Sequence, residues 1–166
     1  MFVCTPIPVD ETEELVPLLL AAEEGEARVL AVLHDPAYTA YAARENGKLV
    51  GAAVMHWMQD GPGEIVYIAV HAEWQGQGYG KRMIANLQGE LRARGGSVLL
   101  VGTANSSLAN LAFYQKCGFR LLEIKRDYFD YIQPPVLENG IPIRDMVVLR
   151  YEVEQDNGRE NLHLIT

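Results

Sequence analysis

Glycines at alternate positions, Gly76, Gly78 and Gly80, stand in the run Trp74-Gln75-Gly76-Gln77-Gly78-Tyr79-Gly80-Lys81, between an apolar strand-like segment and a helix-like one. Glycine lets the backbone turn so that successive N–H groups point inward, and the start of a helix adds about half a positive charge. Such a loop is an anion cradle, most often for phosphate. Spacing argues against two nucleotide readings. A Walker loop places glycine five positions before the Gly80-Lys81 pair and a hydroxyl residue after the lysine, where this chain has Gln75 and Arg82. The dinucleotide fingerprint starting at Gly76 requires glycine at the position of Lys81. His34, His56, His71 and His163 show no metal-ligand spacing, and Cys4 and Cys117 form no Cys-x-x-Cys pattern, so no metal site or disulfide framework is expected.

The loop needs a strand before it and a helix after it, and the periodicity supplies both. Glu64 to Val70 is a nearly continuous apolar run of strand length with β-branched members, and Met83, Ile84, Leu87 and Leu91 keep to one helical face until Gly95-Gly96. Ser97 to Gly102 reads as a second buried strand, and Ser106 to Cys117 as a helix closed by Gly118. Upstream, Tyr38–Arg44 and Leu49–Met58 flank Asn46-Gly47, the signature of an antiparallel hairpin. Asp10 and Glu13 suggest a capped helix carrying Leu15, Leu18 and Leu19, with Pro17 as an irregularity. A further helix over Glu23 to His34 shows Ala27, Leu30, Ala31 and His34 on one face and stops before Pro36. Phe119–Lys125 and Met146–Tyr151 complete the strands, and the stretch between them, with Pro134-Pro135 and Asn139-Gly140, reads as irregular. The expected class is an α+β sandwich, one mixed and mostly antiparallel sheet with helices on its faces.

A chain of 166 residues has room for one domain, expected over residues 1–153 with a polar tail at 154–166. Lys and Arg total 14 against 22 Asp and Glu, a net charge of −8 that opposes a broad phosphate-neutralising surface, so nucleic acid is not an expected partner. The longest apolar stretch, Leu15 to Ala22, is interrupted by Pro17 and is far short of the ~20 residues that span a bilayer. The first residues lack a basic region and an apolar leader core, which points to a cytoplasmic protein without a membrane partner.

Gln75-Gly76-Gln77-Gly78-Tyr79-Gly80 resembles the Q/R-x-x-G-x-G/A signature of the GNAT superfamily of N-acetyltransferases. Ala69-Val70 through Trp74 is similar to the family's strand leading into that loop, and Phe113-Tyr114-Gln115-Lys116-Cys117-Gly118-Phe119 is similar to its later Tyr-x-x-x-Gly-Phe segment. Both occur in the family's order and spacing. The resemblance runs from about Lys48 to Arg120, with a looser match at Arg126-Asp127-Tyr128-Phe129. It implies a splayed central pair of parallel strands that clasps acetyl-CoA as co-substrate, with the pantetheine arm along Ile68-Ala69-Val70, chiefly on the main chain of Ile68 and Val70. The amides of Gln75, Gly76, Gln77, Gly78, Tyr79, Gly80 and Lys81 would then hold the pyrophosphate.

The implied reaction is attack of an amine on the thioester in a ternary complex. Glu64, eleven residues before Gln75, occupies the position of the catalytic glutamate in histone-acetylating members, and is expected to act as general base directly or through a water. Its alternative is a solvated charge at a strand end. Tyr114 matches the family's general-acid position for protonating the leaving thiolate, the alternative being a core tyrosine. An asparagine of the family that meets the pantetheine precedes the tyrosine by seven residues; here Ser107 stands there and Asn105 lies further upstream, so either is a candidate. Trp57, Tyr67, Tyr128 and Tyr131 are either packing residues or part of an acceptor pocket. The acidic surface suits a cationic amine. The competing reading is a non-catalytic acyl-CoA-binding sensor. The resemblance is compatible with a homodimer and leaves the amine, the acyl length and the oligomeric state open.

Overall fold

The computed structural model describes residues 1–20, 22 and 25–154. Seven strands form one sheet in the order β1-β2-β3-β4-β5-β9-β6, made of β1 (Phe2–Ile7), β2 (Tyr38–Glu45), β3 (Lys48–Trp57), β4 (Gly63–Val70), β5 (Val98–Ala104), β6 (Arg120–Lys125) and β9 (Met146–Glu152). Two short strands, β7 (Leu137–Glu138) and β8 (Ile141–Pro142), form a separate hairpin. Every pairing in the large sheet is antiparallel except β4 with β5. The β2–β3 turn is the expected one, with Asn46 and Gly47 both at positive φ (50° and 84°). Among the described residues no helix is long and apolar enough to cross a membrane.

Helices cover both faces. On one, α3 (Tyr79–Ala93) buries Met83, Ile84, Leu87 and Leu91 against Met55, Ile65, Leu99, Val101 and Leu149, and α4 (Leu108–Lys116) adds Tyr114. On the other, a 3-10 turn (Val9–Leu15), α1 (Val16–Leu19) and α2 (Glu26–His34) bury Leu15, Leu18, Leu19, Val29 and Leu33 against Ala40, Ala42, Ala52, Val54 and Tyr67. Small residues in the middle of β2 and β3 let these helices approach the sheet closely.

Several local expectations change. Asp10 does not cap a helix: the segment is a 3-10 turn entered from Pro8 without a side-chain cap, and α1 starts only at Val16, where Pro17 is tolerated because first-turn N–H groups need no intrahelical acceptor. In α2 the buried residues are Val29 and Leu33, while Ala27, Ala31 and His34 are exposed, because branched and longer side chains remove more apolar surface from water than alanine. Glu23 and Glu24, included in the expected helix, lie outside the described residues, as does the expected tail beyond Glu154. The strand β1 was not expected, and the irregular stretch contains the β7–β8 hairpin, turned by Asn139 and Gly140 at φ 53° and 73°.

The feature that positions the site is the brevity of the β4–β5 pairing. Only Gly63–Leu99, Glu64–Leu100 and Ile65–Val101 are in register, and the strands part beyond them. The parting coincides with a shift in the β3–β4 register, where Val54 opposes Tyr67 and Met55 opposes Ile65, so that Val66 is an extra residue in β4. A bulge of this kind bends its strand and increases its twist. The result is the expected α+β sandwich with a central parallel pair that splays towards the glycine loop.

Candidate functional site

The glycine loop closes the wide end of the splay. His71 donates its N–H to Val50 O at 2.8 Å, so the alternation of a strand turns the polar groups of Ala69 to β3 and those of Ile68 and Val70 to the gap left by β5. Of the stretch Ile68-Ala69-Val70, the main chain of Ile68 and Val70 is turned to the gap, whereas that of Ala69 is spent on the sheet. The Val70 carbonyl accepts the Gln75 side-chain amide at 2.9 Å, and Gln77 Nε2 donates to Glu73 O at 2.9 Å. The two glutamines therefore brace the loop. Gln75 also turns its own N–H to Ala72 O at 3.4 Å, so the free donors begin one residue later than expected.

From Gly76 to Lys81 no main-chain N–H has an acceptor among the described residues, and the first bond of α3 is Arg82 N–H to Gly78 O at 3.1 Å. Gly76 (φ 71°) and Gly78 (φ 85°, the N-cap of α3) hold left-handed backbone that side-chain-bearing residues avoid, although a Cβ at either would meet no atom within 4 Å. Conformation, not space, is what requires glycine there. At Gly80 the reason is contact: a Cβ would sit 3.2 Å from Phe113 Cζ and 3.7 Å from Val70 Cγ2. The start of α3 thus rests on both α4 and the end of β4. Tyr79 contributes only its main chain, since its ring is buried edge-on to Trp74 with centroids 5.4 Å apart. These donors stand at the N-terminus of a 15-residue helix, a position that physically suits an anion.

Glu64 lies at the narrow end of the splay, half-buried, and its carboxylate has no hydrogen bond or ion pair among the described residues. Its in-register neighbours are His56 on β3 and Leu100 on β5. Ile65 next to it belongs to the core under α3, so Glu64 points to the α1–α2 face. Tyr114 approaches from the opposite face. It is 5% exposed, packed edge-on against Phe113 and Phe119 with centroids 5.2 Å and 5.7 Å away, and its hydroxyl has no partner among the described residues. Burial pushes its phenol above the usual tyrosine range, with Cys117 adding in the same direction, so the group holds its proton through the neutral range. Burial also pushes the Cys4 thiol up to about 12 and the Cys117 thiol upward, which leaves neither a ready nucleophile.

Asn105 and Ser107 are engaged elsewhere. Asn105 Oδ1 accepts the N–H groups of Arg144 and Asp145, both at 3.0 Å, and its Nδ2 donates to Pro142 O at 3.1 Å. Ser107 and Ser106 donate to Glu138 Oε1 at 2.6 Å and 3.1 Å. Together they clamp the β7–β8 hairpin onto the turn between β5 and α4, a role that no local pattern announced. Of the four aromatics, Trp57 donates Nε1–H to Tyr41 Oη at 3.0 Å and Tyr67 is buried, whereas Tyr128 and Tyr131 are exposed. The Tyr131 hydroxyl accepts from Arg28 Nη1 at 3.2 Å, and the Arg28 guanidinium lies 5.1 Å from the Tyr131 ring centre, so the segment after β6 reaches α2.

The sequence and the fold are both similar to those of known proteins. The model of the acetyltransferase (GNAT) family matches residues 6–119. A Bacillus subtilis protein named as the uncharacterized N-acetyltransferase YvbK is 37% identical over 142 residues, which cover 84% of this chain and 90% of that protein. A crystal structure of a Bacillus subtilis acetyltransferase in complex with CoA superposes with a TM-score of 0.84 at 32% identity, over 93% of this chain and 100% of the other. That of an Elizabethkingia anophelis GNAT family acetyltransferase with acetyl-CoA bound gives 0.83 at 30% identity, over 92% and 98%.

Proposed function

Because the chain belongs to the GNAT acetyltransferase family, we propose that it moves the acetyl group of acetyl-CoA to an amine by direct attack in a ternary complex. The observation that carries this reading is the run of unpaired N–H groups from Gly76 to Lys81, set where β4 and β5 part. Backbone donors at a helix start suit a diphosphate, and they act locally in a chain of net charge −8 because charges further away than ~8–10 Å are screened. The exposed main-chain edge at Ile68 and Val70 suits the amide groups of pantetheine, which would lie against β4 as an added strand. Asn105 and Ser107 act in this account through the β5–α4 turn that they hold in place.

An alkylammonium with a pKa near ~10.4 must lose a proton before it attacks. Glu64 accepts that proton, directly or through one water, and the freed lone pair then forms the nitrogen–carbon bond. The carbonyl oxygen becomes an oxyanion, met by a main-chain N–H on the open edge of β4. The carbon–sulfur bond then breaks, Tyr114 gives its proton to the departing thiolate, and the proton shed by the acylated nitrogen passes through solvent to restore the phenol. The acceptor reaches Glu64 from the α1–α2 face and the thioester lies towards Tyr114, so the two substrates meet in the plane of the sheet. No covalent enzyme intermediate is required, in keeping with the raised pKa values of both cysteines.

Thiol release is the test. With acetyl-CoA and a panel of amines the protein is expected to free CoA at a rate proportional to enzyme concentration and to form a stoichiometric amount of acetylated amine. Saturable acetyl-CoA binding with no release above the rate of spontaneous hydrolysis, whatever the amine, would identify a sensor.

A further inference from the structure

We propose that the amine acceptor carries a carboxylate, held by Arg150 and Arg120 while its amino group meets Glu64; this deepens the reading above and rests on it. The register of the sheet sets Tyr38, His56, Glu64, Leu100, Arg150 and Arg120 in one continuous cross-strand row over β2, β3, β4, β5, β9 and β6. Residues paired in this way share a face, and Leu149, beside Arg150, is buried in the core under α3, so the row lies on the α1–α2 face. Arg150 is two strands from Glu64, roughly 10 Å between main chains. Leu100 stands between them as an apolar floor.

The two arginines oppose each other directly, an arrangement that is unfavourable unless an anion neutralises it. Arg150 Nη2 pairs with the exposed Glu152, but its Nε is buried with no partner and the Arg120 side chain makes no ion pair or hydrogen bond among the described residues. In a chain of net charge −8, a juxtaposed and only partly compensated arginine pair is a local reversal of sign. Arg150 also lines two open surface hollows; the larger includes Leu100 and Gly63, the residue before Glu64, though not Glu64 itself, and the smaller includes Arg120. A planar guanidinium is matched to a carboxylate, and the row supplies a base for the amine at one end and cations for the acid at the other. The expectation from net charge alone, a purely cationic amine, does not use this pair.

The experiment compares ω-aminocarboxylates of two to six carbons with alkylamines of the same length, by thiol release from acetyl-CoA. The aminocarboxylates are expected to be favoured by about 10- to 100-fold in kcat/KM, the range expected of a charge-assisted pair, with an optimum at one chain length. Arg150→Gln is expected to raise the KM for the aminocarboxylate by a similar factor and remove the preference. Its rate with alkylamines and its Kd for acetyl-CoA should stay within about twofold of the native values, because it removes one hydrogen-bonded charge contact only. Arg150→Lys restores part of the preference, since the charge returns without the fork. Equal use of both series, or a preference that survives Arg150→Gln together with Arg120→Gln, overturns this inference and leaves the acetyltransferase reading standing. Release with no amine of either series, in a protein that binds acetyl-CoA, overturns both.

Discussion

Glu64→Gln lowers kcat by about 100-fold or more, the usual contribution of a positioned general base, while the Kd for acetyl-CoA is unchanged. The substitution keeps the shape of the side chain and removes only its ability to take a proton. Since the carboxylate has no intramolecular partner among the described residues, the exchange strands no donor and the melting temperature should hardly move. The pH profile gives the diagnostic signature. Without its base, the enzyme depends on amine that has already lost its proton, so the rate of the variant should climb about tenfold per pH unit towards the amine pKa of ~10.4, where the native rate flattens earlier. A variant with native kcat and a native pH profile would mean that Glu64 is a solvated strand-end charge.

Tyr114→Phe is the second large effect, again about 100-fold in kcat, and it probes the opposite side of the thioester. The hydroxyl makes no hydrogen bond among the described residues, so phenylalanine keeps the edge-on packing with Phe113 and Phe119 and should fold as the native protein does. Loss of rate without loss of stability separates a proton donor from a core residue. Because burial raises the phenol above its ordinary pKa, the native enzyme should show no alkaline decline due to this group below about pH 10, and the ratio of native to variant rates should stay constant over the neutral range. Native activity in the variant would assign protonation of the thiolate to water.

The parts of this site that were legible in the chain are those in which one residue type answers a local need. Asn46-Gly47 turns a hairpin because both positions take positive φ, and Gly76 and Gly78 mark the cradle for the same reason. The apolar face of α3 was legible because Met83, Ile84, Leu87 and Leu91 repeat at the helical period and are all buried. What escaped depends on contacts distant in sequence. Strand β1 buries only Cys4 and carries Pro6, as an edge strand can, so it shows no alternation to read. Asn139-Gly140 was visible as a turn pair, but the two-residue strands beside it are held by Glu138 and Asn105 through bonds that span more than thirty residues. Arg120 and Arg150 look like unrelated surface charges until β9 is found inserted between β5 and β6, which places them side by side and in line with Glu64. Topology, in that case, carries the chemical information.

The central physical claim is that free amides at the start of α3 grip a diphosphate while the parted strands take the thioester arm. Calorimetric titration of the protein with acetyl-CoA and with acetyl-pantetheine, which has the same reactive arm but no diphosphate, tests it most directly. Saturable binding of acetyl-CoA at one site is expected, with acetyl-pantetheine, which also lacks the nucleotide beyond the diphosphate, weaker by about 100-fold or more, at least the roughly 3 kcal/mol of a set of charge-assisted hydrogen bonds. Equal affinity for the two compounds, or no association with acetyl-CoA, would contradict it.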